Sequence, residues 1–305
     1  MRVLFIFLDG VGLGEDNEGI NPLAGAPMPN LRSLLGGGRL LAATAPFDGP
    51  IASLRALDPG LGVDGFPQSA TGQAVLLTGR NVPAEIGEHY GPKPNGAVAE
   101  IIRQGSIFSQ LVSKGKKVAL LNAYPPRYFD GIDSGKRLYS SIPLAVTSAG
   151  LKLFNQDDYF AGRSLSADFT GQGWRSMLGF PDAPVYGSIE AGRKLADLAS
   201  NYDFSFFEYW ASDYAGHGQD AQRAMELLDT LDGVLGGLVS AWDPSGGLVL
   251  ITSDHGNMEV LSTRRHTMAP VPALLIGTRE ARDNILGELR TLEDVYPAIL
   301  KTIGV

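Results

Sequence analysis

The chain contains no cysteine. Disulfides, thiolate metal sites and a cysteine nucleophile are therefore excluded. Histidine is scarce, with four in 305 residues. Basic residues are few and scattered: 25 Lys and Arg face 33 Asp and Glu, leaving a net charge of -8 with no Lys/Arg run. Nucleic-acid binding depends on phosphate neutralisation by basic residues, so this balance argues against a nucleic-acid partner. Ordinary solubility accounts for the acidity, and bound divalent cations would offset part of it. No stretch approaches the roughly 18 uninterrupted apolar residues of a membrane span. The opening MRVLFIFLDG is apolar for six residues and then meets Asp9. It lacks the long apolar region and small-residue cleavage site of a secretory signal, and reads as a buried strand. A cytoplasmic location is expected, with no membrane and no protein partner.

What is present alternates. Short apolar runs at 3–8, 117–122, 204–210, 248–252 and 271–276 read as strands, and their unbroken hydrophobicity is that of strands covered on both faces. Helices are expected from Pro29, from Ser69, and at 99–114, 188–200, 219–242 and 292–303. Met225, Leu228, Leu231 and Val234 give the fifth of these an apolar stripe. Residues 44–68 and 81–97 are rich in Gly, Pro and Asp and read as loops. Residues 125–185 are aromatic, polar and weakly periodic. They read either as a small inserted lid or as irregular surface, splitting a core made of 1–124 and 186–305. Strands alternating with helices predict an α/β fold whose mainly parallel sheet is sandwiched between helices. In such sheets ligands bind beyond the carboxyl ends of the strands.

Asp9, Asp213 and Asp254 each follow an expected strand, so three carboxylates should converge on one rim. The string DYAGHG sets Asp213 and His217 four residues apart, on one face of a helical turn; a surface pair fits the spacing as well. Asp254 and His255 follow a buried strand, where uncompensated charge is costly; an ordinary polar turn after the strand is the alternative. His266 precedes another apolar run, and taken alone fits a structural histidine. Ser69 lies where a loop enters a helix. It is a candidate nucleophile if a base or metal deprotonates it, or simply a helix cap. DGVGLGEDN also invites a dinucleotide-binding reading, but Asn17 stands where the last glycine of that pattern belongs.

These strings together resemble the alkaline phosphatase superfamily, in its branch with cofactor-independent phosphoglycerate mutase and phosphopentomutase. LDGVG at 8–12, SATGQAVLLTGR at 69–80, DYAGH at 213–217, SDHGNME at 253–259 and HTMAPVP at 266–272 come in the family's order. The resemblance implies an α/β/α sandwich and two divalent metal ions, Mn²⁺ or Zn²⁺. Asp213, His217 and His266 would hold one, and Asp9, Asp254 and His255 the other, with Ser69 bridging toward it as the phosphorylated nucleophile. A small phosphorylated substrate is implied. The chain departs from the mutases at Gln73, where they carry His, and the motifs of their large substrate domain are not visible. That favours a phosphatase over an intramolecular phosphomutase. Ser69 lacks the Pro-x-Arg context of sulfatases. A metal-binding protein without activity would not need the nucleophile. Arg264, Arg265 and Arg163 are candidate phosphate contacts, with solvated arginines or a local salt bridge as the equal alternative.

Overall fold

The computed structural model describes residues 1–305. One sheet holds seven strands: β1 (Arg2–Leu8), β2 (Phe47–Asp48), β3 (Ala52–Leu57), β4 (Val118–Leu120), β5 (Phe204–Tyr209), β6 (Gly247–Thr252) and β7 (Val271–Ile276). Their spatial order is β2-β3-β7-β6-β1-β5-β4. β6, β1, β5 and β4 are parallel to one another. β7 joins antiparallel to β6, β3 antiparallel to β7, and β2 antiparallel to β3.

Side-chain alternation in β1 divides the interior. Val3, Phe5 and Phe7 enter one apolar cluster of 42 buried residues, and Leu4, Ile6 and Leu8 enter another of 41. The first is covered by the helices Ser69–Thr78, Gly96–Gln104, Ile107–Ser113, Ser141–Ser148 and Val295–Ile303. The second is covered by Ser188–Ala199 and Ala221–Ala241 together with Pro29–Leu34. The result is the expected three-layer α/β/α sandwich, with a sheet that is parallel at its centre.

Several local expectations change. The stretch 44–68 is not all loop, because β2 and β3 form an antiparallel edge there. What holds this edge is Arg282, fully buried, which donates to the carbonyls of Gly49, Pro50 and Gly277 and to Ser53 Oγ. The helix expected over 99–114 is two, since Gly105 interrupts it and Ser106 starts the second with a reciprocal capping box to Ser109. A short helix, Val82–Ile86, lies within 81–97, and another, Arg279–Leu286, follows β7. Residues 125–185 fold into four short helices. Of these, Ser141–Ser148 buries Ile142, Ala145 and Val146 in the first core. Tyr159, Trp174 and Ala183 form a small cluster of their own with Ala123.

Candidate metal centre and nucleophile

The register pairs Phe7 with Thr252 of β6 and with Glu208 of β5. Asp9 and Asp254, two residues beyond that pair, therefore leave adjacent parallel strands side by side. His255 follows Asp254. Asp213 and His217 lie on the helix Ala211–Gly218, which follows β5 directly. The loop that approaches β7 supplies His266. All six expected ligands and Ser69 thus gather at the carboxyl edge of the sheet.

Ser69 is the first residue of its helix, and Gln68 occupies the cap position without a side-chain cap bond. The Ser69 hydroxyl instead lies 2.9 Å from His255 Nε2, so it is not acting as a helix cap. The helix presses on the site at Gly72, where a Cβ would stand 2.9 Å from the Asp254 backbone oxygen. The N–H groups of Ser69 and Ala70 have no acceptor within the helix and point outward at its positive end. That end suits a phosphate.

Two groups of ligand atoms form around Asp213. In the first, His217 Nε2 lies 3.3 Å from one Asp213 oxygen and His266 Nε2 lies 3.8 Å from the other. His217 Nδ1 donates to the Arg264 carbonyl and His266 Nδ1 to the Pro67 carbonyl, each at 2.8 Å. Those bonds place the proton of each neutral ring on Nδ1. The two Nε2 atoms then face each other at 3.1 Å with lone pairs. Lone pair against lone pair is repulsive, and a cation beside both nitrogens relieves it. In the second group Asp9, Asp213 and His255 offer one ligand atom each within 4.8 Å of one another. Asp254 stands beside them, its Oδ2 3.6 Å from His255 Nε2. Asp213 therefore belongs to both groups.

The electrostatics point the same way. Asp9 Oδ1 and Asp254 Oδ2 are buried without a hydrogen-bond partner, and native proteins rarely leave such groups orphaned. Burial, then the Asp254 and Asp213 charges, push the Asp9 carboxyl well above its ordinary range. Burial, then Asp213, push Asp254 up to about 7. Burial holds His255 and His266 below the usual imidazole value, with the His255 ring adding to the effect on His266. The two rings stack at 3.7 Å. Neutral imidazoles among clustered carboxylates, with no lysine or arginine paired to them, are the donor set of a divalent cation.

Three supporting residues were not foreseen. Glu259 is buried and accepts from Gly12 N–H at 2.9 Å, Asn257 N–H at 2.8 Å and the Thr267 hydroxyl, tying three site loops together. A Cβ at Gly12 would lie 2.6 Å from its carboxyl carbon, which is why that loop needs glycine. Asn257 donates to Asp213 Oδ1 at 2.6 Å and orients that carboxylate. Glu208 is buried on β5, accepts from Tyr124 Oη at 2.6 Å, and is raised by burial to about 7. Its one trace in the sequence is that it interrupts the apolar run FSFFEYW.

The arginines divide. The backbone of Arg264 orients His217, while its guanidinium bonds Gln219. Arg265 lies exposed in the same loop. Arg163 pairs with Asp158 at 2.8 Å inside the 125–185 segment, the local salt bridge considered for it, and makes no polar contact with the site residues.

A model of the metalloenzyme superfamily matches residues 184–305. The 2,3-bisphosphoglycerate-independent phosphoglycerate mutase of Thiobacillus denitrificans is 32% identical over 161 residues, which is 48% of this chain and 31% of that protein. The chain spans about a third of the length of the curated relatives it matches. Among solved structures, Leishmania mexicana phosphoglycerate mutase superposes with a TM-score of 0.59 at 11% identity, covering 99% of this chain and 95% of the other. A variant of the TAB5 alkaline phosphatase, from an Antarctic bacterium, gives 0.50 at 13% identity, covering 99% and 97%. These two likenesses are of fold. Joined to the match of residues 184–305 to the metalloenzyme superfamily model, they show that this chain shares the fold of phosphoglycerate mutase and alkaline phosphatase and that its C-terminal part is similar to metalloenzymes.

Proposed function

We propose that the protein is a two-metal phosphoryl-transfer enzyme with Ser69 as nucleophile, and that it acts as a phosphatase on a small phosphorylated substrate. The observation that carries this is the Ser69 hydroxyl 2.9 Å from His255 Nε2, at a helix N-terminus and beside the orphaned oxygens of Asp9 and Asp254. Asp213, His217 and His266 would hold one ion, and Asp9, Asp254 and His255 the other. Asp213 stands within reach of both. Mn²⁺ and Zn²⁺ suit a carboxylate and imidazole set without thiolate. Bound divalent ions would acidify the Ser69 hydroxyl and neutralise charge on the phosphoryl oxygens.

Ser69 Oγ attacks phosphorus, the ester oxygen leaves with the alcohol, and a phosphoserine remains. The Ser69 and Ala70 N–H groups bind phosphoryl oxygens at the helix end. Arg264 and Arg265 lie in the adjoining loop, where either guanidinium could grip another. Water then attacks the phosphoserine, releasing inorganic phosphate and restoring the hydroxyl. The His217 side chain is 44% exposed, so this edge of the centre is open to water, which favours hydrolysis. The names of the sequence relatives favour the second reading, an intramolecular phosphomutase that returns the phosphoryl group to a second hydroxyl of the substrate.

The test is a phosphoester panel assayed with Mn²⁺ and Zn²⁺ in parallel. Ser69→Ala is expected to lower turnover about a thousandfold or more while both metals remain bound. Full activity in that variant would rule out the nucleophile. Inorganic phosphate as sole product supports hydrolysis, whereas interconverted phosphate isomers without phosphate release support the mutase.

A further inference from the structure

Eleven large hydrophobic side chains are exposed in this molecule. Four lie within three residues of the metal-centre groups: Phe66 before Ser69, Trp210 and Tyr214 on either side of Asp213, and Met268 after His266. They are 45%, 43%, 72% and 53% exposed. Tyr214 is the most exposed aromatic residue among the eleven, and it is covalently next to a candidate ligand.

Trp210 and Tyr214 are four apart at the start of the helix Ala211–Gly218. They form a ridge beside the one that carries Asp213 and His217. Their rings meet edge to face, 5.2 Å between centroids and 67° between planes. That contact leaves much of the Tyr214 ring open. Phe66 adjoins Pro67, whose carbonyl accepts from His266 Nδ1. Met268 lies two residues beyond His266, with its terminal methyl over Gly60. Trp210 and Tyr214 therefore stand on the segment that carries Asp213 and His217, and Phe66 and Met268 lie in the two loops joined by the Pro67–His266 bond.

Contiguous apolar side chains left exposed beside polar groups mark binding surfaces, and Trp210 and Tyr214 form such a contiguous pair. Trp and Tyr supply broad ring faces at little rotamer cost, and a flat ring stacks on such faces whatever its substituents. We propose that this collar binds a planar aromatic ring carried by the substrate. The enzyme then selects phosphate esters bearing an aryl group or nucleobase over aliphatic ones of equal charge. The proposal rests on the phosphoryl-transfer reading of the same centre.

The test compares benzyl phosphate with propyl phosphate on the metal-loaded enzyme. Both release a weakly acidic alcohol, so a rate difference reports ring binding rather than leaving-group reactivity. In parallel, benzylphosphonate and propylphosphonate are titrated against metal-loaded Ser69→Ala protein, with calorimetry and tryptophan fluorescence as readouts. The expected preference for the ring is about five- to tenfold in both kcat/KM and Kd, the worth of one stacked ring. Tyr214→Ala is expected to narrow it to within twofold and Tyr214→Phe to retain it. Equal binding of the two phosphonates, or a preference that survives Tyr214→Ala and Trp210→Ala alike, overturns the collar and leaves the phosphoryl-transfer reading intact. Discrimination between phosphonates with no turnover of either ester and no phosphoserine has the opposite meaning: the ring site stands and the enzymatic reading falls.

Discussion

As neutral rings, His217 and His266 turn unprotonated nitrogens toward each other across 3.1 Å, because two backbone carbonyls hold their other nitrogens. An arrangement that is repulsive on its own is stable once a cation lies beside it. His266→Ala is therefore expected to cut bound metal from two ions per chain to one, read by elemental analysis after dialysis. Unchanged stoichiometry would remove His266 from the ligand set. At this scale the sequence was legible where chemistry is rare: three of four histidines, and aspartates directly after apolar runs. It was illegible for Glu259, Asn257 and Arg282. A buried acid or arginine looks like any surface residue until its partners are known, and those partners lie up to 247 positions away.

Among the elements, the parallel strands were readable because burial on both faces makes them continuously apolar. β3 was not. Its ASLRAL pattern carries a half-exposed Arg55 and an exposed Ala56, and turn-forming residues flank it. Its stability comes from elsewhere, through the four bonds of Arg282. Arg282→Met is expected to cost about 3 kcal/mol, since it strands buried carbonyls. The loss should appear as a lower thermal midpoint with kcat per folded molecule unchanged; an unaltered midpoint would contradict the clamp. Gly12→Ala tests a second junction. Its methyl would meet the Glu259 carboxyl, so a destabilisation of about 1–3 kcal/mol is expected. A drop in turnover should accompany it, because the same loop carries Asp9.

For the molecule as a whole, the centre is a store of unfavourable charge that bound cations would release. Asp254 and Glu208 have folded values near 7, raised from ordinary carboxylate values near 4. Between those limits the folded metal-free chain holds protons that the unfolded chain has lost. The contribution of these two carboxyls without metal is therefore full below about pH 4 and falls as pH rises through about 7, while the lowered His255 and His266 act in the opposite sense until pH passes the usual imidazole value. Chelator-treated protein should melt at a lower temperature at pH 8 than at pH 7, above the range in which unfolded histidines titrate. Added Mn²⁺ or Zn²⁺ should reverse that order, because protons compete for the same oxygens. A metal-free midpoint that rises over this interval would refute the raised values. The three-layer plan was legible from alternating strands and helices. The docking of residues 125–185 was not, because their helices are short and owe their order to contacts with the core, as Ile142 and Val146 show.

The candidate ligands span positions 9 to 266, and they meet only when β1, β5, β6 and the approach to β7 are all in place. On the ribosome, the earlier carboxylates must wait for most of the chain before they can share an ion. Metal uptake would then mark the end of sheet assembly, and a coloured or fluorescent ion would serve as a clock for its last step.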